Sequence, residues 1–342
     1  MMARAPLLIS ILNWNGLADT LACLAALEAQ RLDEADELPW QVLVIDNGSR
    51  DDPRAELAAR FPAVELLRLP RNAGFAAGQN HGLRLALARG HEAVLMLNND
   101  CEIDGAAIAA MLRQLRAEPG LAALSPLIYC LEAREKPQMV AAWLDWGRHC
   151  SVRPSAPTAP RPPGLPAMLP GTALMLRCEA LAGIGLLDER YFAYYEDNEL
   201  SARIAAHGMA AAYCQQARAW HASRPVRQYS ELALYLSARN AWLFWREHTP
   251  AARRRGLFRH LLAQSLVEIA SLRAAGEAAK CEAVVAGFWD AQWRRFGAPP
   301  ARLRSPWWLR QLMCRAPFLL SQLLADPRAA LRARLARWRR PA

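Results

Sequence analysis

The strongest constraint on this chain is a set of short apolar runs, each broken off by a cluster of Asn, Asp and Gly. Leu7 to Leu12 stops at Asn13-Trp14-Asn15-Gly16, and Gln41 to Ile45 stops at Asp46-Asn47-Gly48-Ser49. Ala93 to Leu97 stops at Asn98-Asn99-Asp100. Runs this short and this continuously apolar read as strands buried in a parallel sheet. Helical stretches lie between them. Residues 17–30 carry an apolar stripe at 17, 21, 24 and 27, and 54–60, 76–88 and 106–116 read as further helices. With a strand at 64–69, the alternation predicts an α/β fold built on a doubly wound, mostly parallel sheet. In such sheets ligands bind beyond the C-terminal strand ends, where the polar clusters fall.

An acid flanked by amides at that position suits a divalent cation shared with a phosphate, because Mg2+ takes few protein ligands and keeps phosphate and water oxygens. The same residues also suit a plain turn. Asp46 can accept hydrogen bonds from a base or ribose, or it can cap a helix; Gly48 permits close approach. Arg71-Asn72-Ala73-Gly74 opens a helix whose backbone N–H groups face an anion, with no dinucleotide-type glycine fingerprint. Tyr194-Tyr195-Glu196-Asp197-Asn198-Glu199 places three acids in four positions. One of these could be a general base, another a helix N-terminal charge. His221 is either a structural imidazole or a partner for a metal held by a carboxylate.

Composition narrows the field. The 342 residues are 53% apolar, enough for a sizeable core, yet no run approaches a membrane span or a convincing signal peptide. The eight cysteines form no C-x-x-C pair, which fits reduced thiols in a cytoplasmic protein. Charge is divided unevenly. After residue 224 there are 21 Arg and Lys against 7 Asp and Glu, and in residues 1–224 there are 21 against 25. Seven prolines in 153–170 predict a loop inserted near the site, and the pattern beyond residue 228 is helical. We expect residues 1–225 to form the catalytic domain and 226–342 a helical, basic, Trp-rich region.

Seven segments in order resemble the family 2 glycosyltransferases of GT-A fold, particularly the bacterial rhamnosyltransferase-like branch. They are ILNWNG, VIDNGSRDD, RNAGFAAGQNHGL, LNNDCEI, PGTALMLRCEAL, GLLDERYFAYYEDNELSARIAAHG and AWH. The resemblance implies an inverting, metal-dependent transfer from a nucleotide-diphosphate sugar, dTDP-rhamnose or a UDP-sugar. The acceptor would be a glycan or a polyprenyl-linked carrier in cell-envelope assembly. By the same resemblance Trp14, Asp46, Arg71 and Asn72 border the nucleotide, with Asn98 and Asn99 beside them. Asp100 and His221 hold Mg2+ or Mn2+, Asn98 standing where the family has an Asp. Gly171 and Thr172 line the donor and acceptor cleft. Asp197 is the base, assisted by Glu196.

A nucleotidyltransferase-like enzyme is the nearest rival, but it needs no acceptor-side base at Asp197. A non-catalytic nucleic-acid or membrane binder would explain the charge. The basic excess is confined to the C-terminal third, however, and no nucleic-acid motif is visible. Leu331, Leu335 and Trp338 fall at helical spacing among arginines, the composition of a helix lying peripherally on an anionic membrane. The same pattern would serve a helix packed on the catalytic domain.

Overall fold

The computed structural model describes residues 6–31, 39–154, 162–222, 229–315 and 317. It forms two compact units, one of residues 1–145 and 150–224, the other of residues 146–149 and 225–342.

The first unit opens with β1 (Leu7–Asn13), α1 (Leu17–Arg31), β2 (Trp40–Asp46), α2 (Arg54–Arg60), β3 (Glu65–Arg68) and α3 (Phe75–Arg89). There follow β4 (Ala93–Asn98), β5 (Cys101–Ile103), α4 (Gly105–Ala117), β6 (Leu121–Cys130) and β7 (Ala133–Met139). After β8 (Trp143–Asp145) and β9 (Cys150–Val152) come β10 (Ala173–Arg177), α5 (Cys178–Ile184), α6 (Glu196–Ala206) and β11 (Ala210–His221). The main sheet runs β3-β2-β1-β4-β10-β6-β11-β5, with β7 beside β6. Strands β3, β2, β1 and β4 are mutually parallel, as are β6 and β11. β10, β5 and β7 enter antiparallel.

Alternation along β1 explains the doubly wound packing. Leu7, Ile9 and Ile11 face one core with Leu24, Met111 and Leu115, whereas Leu8 faces the other with Leu83, Leu181 and Leu200. Each face therefore has its own helical cover, and a strand covered on both sides is apolar at nearly every position.

Residues 155–161 of the proline-rich segment, and Leu331, Leu335 and Trp338 of the expected amphipathic helix, lie outside the described residues. The near end of the proline-rich segment is fixed: Leu144 N donates to Pro166 O at 2.9 Å, and Tyr213 Oη to Met168 O at 2.7 Å.

The second unit is helical: α7 (Glu231–His248), α8 (Leu257–Ala274), α9 (Ala278–Gln292) and α10 (Trp307–Arg315). Ser230 caps α7 by accepting from Ala233 N at 3.2 Å. Gly287 lets α9 lie against α7, because a Cβ there would fall 2.4 Å from Tyr235 O. Among the described residues no helix is long and apolar enough to cross a membrane.

Candidate active site

Strand register brings Asp100 and His221 together. Asp100 sits in the tight turn between β4 and β5, and His221 ends β11. The antiparallel β5–β11 pairing sets His221 opposite Cys101. His221 Nε2 then lies 3.2 Å from Asp100 Oδ1, and Ala222 N donates to the Asp100 carbonyl at 3.0 Å. The other imidazole nitrogen, Nδ1, is 3.1 Å from Gln138 Oε1 on β7. Among the described residues no third His, Cys, Asp or Glu joins the pair. One carboxylate and one imidazole, both half-buried, fit a cation that takes its remaining ligands from a diphosphate and water. With Nδ1–H donated to Gln138, the Nε2 lone pair would face the cation.

The neighbouring amides hold this turn. Asn99 Nδ2 donates to Gly16 O and to Thr20 Oγ1, each at 3.1 Å, which ties the turn to the start of α1. Asn98 N donates to Thr172 O at 2.8 Å. Gly171, one residue earlier, donates from its N–H to Asp197 Oδ2 at 3.1 Å. The dipeptide Gly171-Thr172 thus joins the metal-side turn to the acidic segment.

That segment is strained. Phe192, Tyr194 and Tyr195 have φ of 65°, 70° and 74°, a region few non-glycine residues enter. Helix α6 begins at Glu196, so Glu196 and Asp197 occupy its first turn. Asp197 also accepts from Asn198 N at 2.8 Å. Burial raises its pKa; the N–H groups of Gly171 and Asn198, and the charge of Arg153, oppose that rise. Glu196 is buried, its Oε2 finds no hydrogen-bond partner, and burial together with adjacent Asp197 raises its pKa well above the carboxylate range. Glu196 is therefore held neutral more readily than Asp197. The third acid is structural: Glu199 pairs with Arg203 at 2.6 Å, and Arg203 also donates to Ile184 O and Leu186 O.

On the nucleotide side, Asp46 ends β2. It is fully buried, accepting from Asn13 Nδ2 at 2.9 Å and Arg68 Nε at 3.1 Å. The parallel register pairs Asp46 with both Asn13 and Arg68, and each gives a donor to one of its oxygens. Asn72 Oδ1 accepts from Asn47 Nδ2 and Gly74 N. The open surface belongs to a cleft of about 580 Å³ lined by Gly48, Ser49, Arg54, Leu66, Arg68 and Leu69. Gly48 has φ +71°, and a Cβ there would lie 2.4 Å from the Arg71 carbonyl carbon. Arg71 is exposed, and Trp14 is 49% exposed. The sequence pattern did not single out Arg68, Gln138 or Arg153; each gains its place only through strand or loop neighbours.

Three known proteins are similar to this chain. An L-rhamnosyltransferase of Mycobacterium tuberculosis, N-acetylglucosaminyl-diphospho-decaprenol L-rhamnosyltransferase, is 29% identical over 55% of this chain and 68% of its own length. The solved structure of S. aureus TarS 1-349 in complex with UDP-GlcNAc has a TM-score of 0.53 at 14% identity, covering 95% of this chain and 87% of that one. GalNAc-T7, solved with UDP, GalNAc and Mn2+, has a TM-score of 0.52 at 17% identity, covering 64% of this chain and 43% of that one. The structural likenesses bear on the GT-A fold. The Glycosyl transferase family 2 model matches residues 9–182, a span that holds the Asn98–Asp100 turn and the Gly171-Thr172 dipeptide, and the chain belongs to that family.

Proposed function

We propose that this glycosyltransferase moves a sugar from a nucleoside-diphosphate donor to a polyprenyl-linked or glycan acceptor in bacterial envelope polysaccharide assembly. The transfer inverts the anomeric centre and uses one Mg2+ or Mn2+. The observation that carries the proposal is the Gly171-Thr172 dipeptide, hydrogen-bonded to Asp197 on one side and to Asn98 of the metal-side turn on the other. A base and a leaving-group site joined so closely suit a single displacement.

In this reading Asp197 takes the acceptor hydroxyl proton as that oxygen attacks the anomeric carbon. The nucleoside diphosphate departs from the opposite face, and no protein nucleophile is needed. Glu196, held neutral, leaves Asp197 as the charged member of the pair. Asp100 and His221 would hold the cation, which when bound neutralises charge growing on the diphosphate. Trp14, Arg68 and Arg71 would bind the nucleotide, Asp46 acting through Arg68. The rhamnosyltransferase relative, whose name specifies a lipid-linked N-acetylglucosamine, favours dTDP-rhamnose and a polyprenyl-diphosphate acceptor. TarS with UDP-GlcNAc favours a UDP-sugar as the second reading. With a nucleotide-sugar donor and such an acceptor, the enzyme would work at the cytoplasmic face of the membrane.

The test offers dTDP-rhamnose and UDP-sugars, each with Mg2+ or Mn2+ and a polyprenyl-diphosphate N-acetylglucosamine, and reads the new linkage by NMR. An inverted linkage from one donor is expected. A retained linkage would sink the single displacement, and full transfer in excess chelator would sink the cation.

A further inference from the structure

We propose that the surface formed by the end of α9 and the outer face of α10 docks on an anionic lipid bilayer. The proposal extends the lipid-linked acceptor reading without depending on it, because it rests on a surface of the helical unit alone.

Helix α10 buries Leu309 and Met313, which share one stripe. Three of its apolar side chains are exposed: Trp307 is 70% exposed, Trp308 50% and Leu312 53%. Trp293, at the end of α9, is 60% exposed. Trp289 joins the two helices, its ring 5.5 Å from Trp293 and 6.2 Å from Trp308. Trp289, Trp293 and Trp308 thus form one aromatic cluster across the two helices, with Trp307 exposed beside it in the chain. Patches of this kind mark sites of interaction.

The rim identifies the partner. Arg294 follows Trp293, Arg302 and Arg304 lie in the segment leading to α10, and Arg315 is one turn beyond Leu312; Arg294, Arg302 and Arg304 are exposed. The nearby acid Glu282 is already paired with Arg310 at 3.0 Å. Tryptophan at a polar–apolar boundary, surrounded by arginine, matches the headgroup region of an anionic membrane.

The test uses the full chain and vesicles of phosphatidylcholine with or without phosphatidylglycerol, read by co-sedimentation. Binding to the anionic vesicles, weak binding to neutral ones, and loss at high salt are expected. Replacing Trp293, Trp307 and Trp308 together by Ser should weaken binding by at least roughly tenfold. Arg302→Gln and Arg304→Gln should each cost roughly fivefold. Val267→Ser, which alters an exposed apolar residue on α8, should change nothing. The docking surface is overturned if the wild type ignores anionic vesicles or if the triple variant binds them as well as wild type. It is equally overturned if the triple change dissolves a dimer seen by light scattering, or abolishes an RNA gel shift instead. Transfer to a water-soluble acceptor, measured alongside, reports on the sugar-transfer reading separately, since none of these tryptophans belongs to that site.

Discussion

His221 Nε2 stands 3.2 Å from Asp100 Oδ1 because β5 and β11 pair at the sheet edge, not because the residues are near in sequence. Two protein ligands would hold a divalent cation weakly on their own, and a diphosphate would complete the site. Calorimetry should therefore detect tight Mn2+ binding only with a nucleoside diphosphate present. Asp100→Ala or His221→Ala should weaken that binding at least roughly tenfold. Equally tight binding without nucleotide would count against this pair as the site.

Gln138 orients His221 from β7 at 3.1 Å. Gln138→Leu removes the acceptor for Nδ1–H, while Gln138→Glu keeps one. The Leu variant should lose up to roughly tenfold in nucleotide-dependent Mn2+ affinity, the mild end for a group that orients a ligand from solvent. The Glu variant should recover it. Identical affinities in all three proteins would remove Gln138 from the site.

Asp197→Asn keeps the shape of the carboxyl group but cannot take a proton. Turnover should fall at least roughly 10²-fold with donor binding nearly unchanged. In the wild type, kcat/KM should rise with pH along an acid limb above the ordinary aspartate pKa of about 3.9, since burial raises Asp197. Near-normal turnover in the variant would exclude Asp197 as the base.

Glu196 makes stability depend on pH. Its folded pKa is raised, so the native state holds the proton more tightly than the unfolded chain does. That contribution is complete below the unfolded glutamate pKa of about 4.3 and is lost as pH rises toward the folded value. Glu196→Gln, neutral throughout, should gain on the order of 1 kcal/mol or more over wild type at roughly pH 8 and nothing at roughly pH 4. Parallel stability curves for the two proteins would show that Glu196 is not held neutral.

Gly48 is confined by backbone on both counts, its own φ of +71° and the Arg71 main chain against it. Gly48→Ala should cost about 1–3 kcal/mol in urea unfolding and weaken nucleotide binding, since Arg71 must move. Wild-type stability would show that the Arg71 loop yields freely.

The alternation of apolar runs and helical stripes was enough, read as sequence, to determine the doubly wound α/β class, because strands covered on both faces must be apolar throughout. The order of the motifs that end those runs likewise identified the family. What they could not determine was which of their atoms remain available. Asp46 ends an apolar run, and lateral pairing with Asn13 and Arg68 gives each of its oxygens a protein donor that the run itself does not reveal. Glu199 looked like part of an acid cluster, but one helical turn places it on Arg203. The long strands β6 and β11 were not read, since β11 mixes apolar with polar residues and β7 is exposed nearly throughout. Yet those strands decide that His221 meets Asp100 and that Gln138 meets His221. Periodicity along a chain reports which face of an element is buried. Register between elements distant in the chain reports which polar atoms meet, and only the tertiary structure contains it.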